Sequence, residues 1–280
     1  MAAKERLDRL LVERGLCESR QQAQRLIQAG AVQVDQRVID KPGTVIVSTA
    51  SLQVKARAAF VSRGGEKLAR ALVQFDLQVE GRVALDGGIS TGGFTDCLLQ
   101  AGVQRVYGID VGYGQVAWCL RQDPRVVLRE RTNLRNLTPD DLYGPADLRP
   151  DLGVMDLSFI SLTRVLPALW QLLIAPREVV LLVKPQFEVG RDRVGKKGVV
   201  RDSRDQALAI STVLQSALNL GWHYQGLTWS PLVGPAGNLE YLLWLTAGQA
   251  SLPAPALEDL QALTMAARTH LSPPQAQTQG

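Results

Sequence analysis

Between residues 83 and 246 the chain alternates two hydrophobic periods, and no other feature restricts its fold so tightly. Short, almost wholly apolar runs at Val83–Leu85, Val106–Ile109, Val126–Leu128, Leu152–Met155 and Val179–Val183 read as strands. Between them the spacing of apolar residues predicts helices near 93–101, 114–121, 161–174 and 204–219. Strands apolar on both faces and separated by helices belong to an α/β fold, an open and mostly parallel Rossmann-like sheet with helices on both sides. Two more strand-like segments, 222–229 and 240–246, are joined through Pro235-Ala236-Gly237-Asn238 with no helix between them. The last strand is therefore expected to run antiparallel.

A different pattern precedes this body. Leu7, Leu10, Leu11 and Val12 share one face of a helix over 5–14, and Ser19 is placed to cap a second helix through Ala23, Leu26 and Ile27 that stops at Gly30. Short β segments follow at 32–34, 38–39 and 45–47. This gives a small α+β domain over residues 1–60. Residues 61–66 are expected to be a linker, because Gly64-Gly65 interrupts regular structure before a helix carrying Leu68, Leu72 and Phe75. The large domain is then 67–248. The Pro/Ala/Gln-rich tail, 249–280, is expected to hold one helix over 256–268 and otherwise to be disordered.

Charge divides along the same boundary. Residues 1–65 hold 11 Lys+Arg, Lys55 and Arg57 among them, against 6 Asp+Glu, while the rest of the chain is close to neutral. A basic head suggests a polyanionic partner, although charge alone does not separate this from a solvated face. On the second helix Arg20 and Arg25 lie on the polar side, and Arg6, Lys41 and Arg63 extend the basic set. Three cysteines and two histidines fit neither a disulfide framework nor a metal site, so a reducing cytoplasm and no metal are expected. The charged start MAAKERLDRLL is unlike a signal peptide, and no apolar run approaches the ~18 residues of a spanning helix.

The first strand of the body runs into Asp86-Gly87-Gly88-Ile89-Ser90-Thr91-Gly92-Gly93-Phe94-Thr95-Asp96. A glycine-rich turn between a strand and a helix is where such sheets bind nucleotide-like ligands. Neither the dinucleotide spacing nor the lysine of a phosphate-cradling loop is present. An acid at the start of the loop suits a cationic, zwitterionic ligand such as S-adenosylmethionine. Asp110 ends the next strand, near the offset at which an acid receives a ribose diol. Asp86, Gly88, Ser90, Thr91, Gly92, Gly93, Phe94 and Asp110 are the candidate cofactor residues; Glu130 and Asn133, past the third strand, are candidates for the adenine edge. Asp156 and Lys184 each follow a strand, and Glu240 opens the last one, so all three are expected on the rim where strand C-termini meet. Lys67 could reach that rim from the preceding helix.

At these residues the chain resembles a known family. The strings SRGGEKL, STGGFTD, VMDLSFISL, LVKPQFEVGR and GNLEYLLWL occur in this order, and they resemble TlyA-type proteins from about residue 4 to about 246. That family joins an RNA-binding domain of the ribosomal-protein S4 type to an FtsJ-like ribose methyltransferase, and some members are called haemolysins. The resemblance implies S-adenosylmethionine-dependent 2′-O-methylation of ribosomal RNA, typically on a cytidine. It implies a Lys-Asp-Lys-Glu tetrad, which falls on Lys67, Asp156, Lys184 and Glu240. Gly87 and Ile89 depart from the family loop, which has an apolar residue and an alanine there. The glycine is expected to loosen the loop and the isoleucine to add bulk near the ligand.

A free lysine, with a pKa of about 10.4, is a poor base at neutral pH, and desolvation or a neighbouring cation lowers it. This assigns Lys184 as base and Lys67 as its like-charged neighbour and a substrate-oxygen ligand. Asp156 and Glu240 orient them, and Asp156 is also a candidate for the cofactor's amino group. Arg191, Arg193, Lys196, Lys197 and Arg201 form a glycine-interrupted basic loop suited to phosphates of ribosomal RNA or of a ribosomal subunit. Phe187 is a candidate contact for a flipped base, whereas the five tryptophans, Trp118, Trp170, Trp222, Trp229 and Trp244, are expected in the core. Two rivals remain. A membrane-active cytolysin would need a spanning or strongly amphipathic element, for which only 256–268 is a candidate. A non-catalytic ribosome assembly factor is argued against by the tetrad.

Overall fold

The computed structural model describes residues 3–54, 58–248 and 252–271, and it divides into two compact units that meet at Ala59/Phe60. Lys55, Arg57 and most of the tail expected to be disordered lie outside the described residues.

The first unit has the order β1 (Lys4–Arg6), α1 (Leu7–Glu13), α2 (Arg20–Gln28), β2 (Val32–Val34), β3 (Arg37–Val38), β4 (Val45–Val47) and β5 (Leu52–Val54). The first helix starts later than expected, because Lys4–Arg6 pair antiparallel with Val45–Val47 instead. Ser19 caps α2 by accepting the Gln22 amide at 3.2 Å. Leu7, Leu11, Ala23, Ile27 and Val32 make the small core. At its edge Asp8 is fully buried and receives Arg6, Arg20 and Gln24 at 2.9–3.0 Å. The Arg6 guanidinium, against the opposing cost of burial, holds this carboxyl far below the usual carboxylate range.

The second unit runs α3 (Gly64–Gln74), β6 (Val83–Gly87), α4 (Gly93–Gln100), β7 (Arg105–Ile109), α5 (Trp118–Arg121), β8 (Val126–Arg129), α6 (Pro139–Leu142), β9 (Leu152–Met155), α7 (Leu166–Leu172), β10 (Glu178–Val183), α8 (Pro185–Glu188), α9 (Ser203–Leu220), β11 (His223–Trp229), β12 (Tyr241–Thr246) and α10 (Leu257–Leu271). Its seven-stranded sheet has the order β11-β12-β10-β9-β6-β7-β8. Strands β6 to β10 pair in parallel, and β12 runs antiparallel between β10 and β11, as the missing helix between the last two strands required. Alternate residues of one strand feed opposite faces. Val179, Leu181 and Val183 join the core under α7, α9 and α10, while Val180 and Leu182 join the core under α3 and α4. This is why β10 reads as an unbroken apolar run.

The segment 61–66 is not a loose linker. The Val61 amide donates to Asp96 at 2.7 Å, and α3 begins at Gly64 rather than after the glycine pair. A Cβ on Gly65 would lie 2.2 Å from the Phe60 ring, and one on Gly93 would lie 2.8 Å from the Gly65 nitrogen. The glycines thus permit close approach of α3 and α4, and the Ser62–Gly65 turn, closed by the Gly65 amide on the Ser62 carbonyl at 3.1 Å, leads directly into α3. The tail helix α10 buries Leu260, Thr264 and Ala267 and packs on α9, so its apolar face is already covered. Among the described residues no helix is long and apolar enough to cross a membrane.

Candidate active site

Strand order reverses on either side of β6, and the crevice beyond the C-termini of β6 and β9 is where such sheets take ligands. The loop after β6 is built for backbone proximity. Gly88 has φ +82°, and a Cβ there would lie 2.7 Å from the Asp156 carbonyl oxygen, so no other residue fits. Gly92, at φ +100°, turns the chain into α4. Each of the two family departures fits its own surroundings. A Cβ on Gly87 would meet Met155 at 2.4 Å, and Ile89 is buried over Gly108, whose absent side chain leaves room for it. Ile89 is 3% exposed, so most of its bulk is spent on packing, although it also borders the smaller of the two cavities beside the loop.

Two cavities flank Gly88, Ser90 and Asp156. The larger, about 560 Å³, is also lined by Asp110, Asn133 and Leu157. The smaller, about 370 Å³, is lined by Arg63, Lys67, Thr91, Gly93 and Phe94 and by the turn before β12. Asp110 accepts the Ser90 amide at 2.8 Å and the Gly112 amide at 2.7 Å, which fixes the loop and its own carboxylate. Asn133 accepts the Arg135 amide at 3.1 Å.

Glu130, Asp86 and Gly92 fall outside both linings. Glu130 is engaged by Arg121 at 2.7 and 3.0 Å and by the Gly114 amide at 2.7 Å, so it anchors the 110–121 segment. Arg121 pulls its carboxyl below the ordinary value. Asp86 lies beneath the loop, fully buried; it accepts the Thr95 hydroxyl at 2.6 Å on one oxygen, and the other has no partner. Burial, reinforced by the charges of Asp156 and Asp110 and opposed by Thr95, pushes it up to about 7.

The tetrad converges. Glu240, buried before β12, accepts Lys67 at 2.6 Å. Lys67 lies 4.0 Å from one Asp156 oxygen, and Lys184 lies 2.6 Å from the other. Lys184 Nζ also donates to Ser158 Oγ at 2.9 Å. Glu240, Lys67, Asp156, Lys184 and Ser158 therefore form one continuous polar chain drawn from four separate segments. Asp156 stands between the two ammonium groups, so the like charge expected beside Lys184 acts across a carboxylate. Ser158 was not legible as a site residue; it lies two positions past Asp156 in DLSFISL, and only the turn of that loop brings it to the amine.

Phe187 packs beside Phe159, ring centres 5.3 Å apart, and Phe159 is 91% exposed. Trp222 is fully buried, with Trp170 edge-on at 4.8 Å, and Trp244 stacks on Phe75. Trp118, by contrast, is 73% exposed, against expectation: the helix it opens is only four residues long and offers it no interior face. Of the basic candidates, Arg6 and Arg20 share Asp8, and Arg193 pairs with Asp205 at 2.8 Å. Arg25, Lys41, Arg63, Arg191, Lys196, Lys197 and Arg201 are exposed. The described residues contain no cluster of metal-ligating side chains.

Known proteins share both units. The pattern of the FtsJ-like methyltransferase family matches residues 60–247, and that of the S4 domain matches residues 5–48. The chain is 51% identical, over 92% of its length and 96% of the relative's, to the 16S/23S rRNA (cytidine-2′-O)-methyltransferase TlyA of Mycobacterium tuberculosis. It is 38% identical, over 85% of itself and 98% of the relative, to Hemolysin A of Brachyspira hyodysenteriae. A solved structure from Streptococcus thermophilus, described as a hemolysin, matches with a TM-score of 0.72 and 40% identity, covering 96% of this chain and 97% of that one.

Proposed function

Because this chain belongs to the TlyA-type, FtsJ-like methyltransferases, we propose that it methylates a ribose 2′-hydroxyl of ribosomal RNA, on a cytidine, using S-adenosylmethionine in the cytoplasm. The observation that carries this reading is the convergence of Lys67, Asp156, Lys184 and Glu240 beside a glycine loop that only backbone can approach.

The residues suit the cofactor. Asp110 offers a carboxylate for a ribose diol, and Asn133 offers an amide near it. The carboxylates of Asp110 and Asp156, which line the cavities beside the loop, make it a place for positive charge. S-adenosylmethionine, when bound there, supplies a methyl group already activated on a sulfonium.

The chain must then align the ribose hydroxyl and remove its proton. Deprotonated Lys184 takes that proton on Nζ as the oxygen gains the methyl, and the resulting ammonium is held by Asp156 and Ser158. Lys67, fixed by Glu240, steadies a substrate oxygen in the smaller cavity. Unit one, matching the S4 domain, and the basic loop 191–201 hold phosphates and so position the RNA without reading its bases.

The test is incubation of the protein with labelled S-adenosylmethionine and purified ribosomal subunits, followed by mapping of the label. A 2′-O-methylcytidine in ribosomal RNA is expected. Absence of label from both subunits and from free ribosomal RNA, with wild-type protein that binds the cofactor, would refute the assignment.

A further inference from the structure

We infer that Glu188 is a positioning residue, clamping the loop that carries Asp156 and Ser158 to the turn that carries Lys184; the inference rests on Lys184 being the base. The four-residue helix α8 has Lys184 at its N-terminal boundary and Glu188 at its last position. The Lys184 end reaches across to the loop after β9 through Asp156 at 2.6 Å and Ser158 at 2.9 Å. The Glu188 end reaches the far side of the same loop. One carboxylate oxygen accepts the Ser161 hydroxyl at 2.6 Å, and the other accepts the Leu162 amide at 2.9 Å. The two segments are thus fastened at both ends, with the Phe159–Phe187 ring contact between.

Glu188 has no cation in this arrangement. Burial raises its carboxyl, while the Leu162 amide and Ser161 hydroxyl oppose that shift. Glu188 is half-buried, and a carboxylate drawn from water without a counter-ion carries a cost that its hydrogen bonds must offset. Here it does what few side chains manage, spanning a hydroxyl and a backbone amide at the start of the 162–164 turn. Without it, nothing polar between α8 and residues 161–162 remains to fix the loop. Misplacement of a reacting group by about 1 Å can cost about 100-fold in rate.

The clamp predicts a split that a general packing role would not give. Glu188→Ala is expected to lower kcat by about 10- to 100-fold. KM for RNA and the S-adenosylmethionine dissociation constant should stay within about twofold, because neither contact is to a ligand. Glu188→Gln keeps an acceptor for Leu162 and is expected to recover most of kcat. Ser161→Ala should cost less alone and be sub-additive with Glu188→Ala, the mark of one shared contact. Unchanged kcat in Glu188→Ala overturns the inference. So does a loss that merely follows the unfolded fraction seen by calorimetry, or one that Glu188→Gln does not relieve. Lys184→Ala separates the two readings: if that variant still methylates, the base assignment fails, whatever Glu188 does.

Discussion

The two rims of the seven-stranded sheet carry nearly the same charged groups and put them to opposite uses. At the N-terminal rim Arg82 donates to Asp151 at 3.1 Å and to Glu178, and Glu178 also receives Trp244 at 2.8 Å. At the C-terminal rim Lys67 and Lys184 meet Asp156 and Glu240 at similar distances. The difference is what surrounds them. The first cluster lies where the starts of β6, β9 and β10 are tied together and borders neither of the cavities described. The second borders two cavities at a switch point: Lys67 and Asp156 line them, while Lys184 and Glu240 are buried against these two and line neither. Ion pairs alone therefore do not single out a candidate site; ion pairs beside a cavity and a glycine-rich loop do.

The sharpest way to break this contrast is to remove one charge from each rim. Lys184→Ala is expected to lower methyl transfer by about 10²- to 10⁴-fold, with the melting temperature and cofactor binding nearly unchanged. A variant that keeps most of its rate would make the C-terminal cluster structural as well. Glu178→Ala should do the reverse, costing about 3 kcal/mol of stability while kcat per folded molecule stays as in the wild type. Chemical denaturation beside single-turnover rates distinguishes these, and a fall in kcat without loss of stability would sink the division.

Asp86 sharpens the same comparison one step below the functional rim. Its carboxyl is raised from its ordinary value of 3.8 to about 7, so the folded state prefers it protonated. Stability should be full below about pH 4 and should decline as pH rises toward 7, because ionising this group in the fold becomes costly. Asp86→Asn should remove that part of the pH dependence, leaving acid and neutral samples closer in stability. Identical pH profiles for the two proteins would show that the fold does not raise the Asp86 carboxyl. The smallest effect is expected at the basic loop: Lys196→Ala with Lys197→Ala should raise KM for RNA several-fold. It should also flatten the salt dependence of binding by up to about two charges' worth, with kcat unchanged. No change in salt slope would leave the loop a solvated surface.

Periodicity and composition sufficed for much of this molecule. The parallel sheet, its antiparallel last strand and the glycine loop follow from local apolar patterns, because burial of strand faces is enforced residue by residue. The tetrad was nameable from its strings, since Asp156, Lys184 and Glu240 each sit beside a strand whose direction was predictable. Tertiary structure alone decided how those groups pair, because hydrogen-bond partners distant in sequence depend on loop paths that no local signal encodes. It placed Asp156 between the lysines, brought Ser158 to Lys184 and Glu188 to Ser161, and engaged Glu130 with Arg121 and the Gly114 amide. It also reversed the meaning of Gly64-Gly65, since a glycine that breaks a helix and one that admits a neighbouring helix look alike until the neighbour is in place.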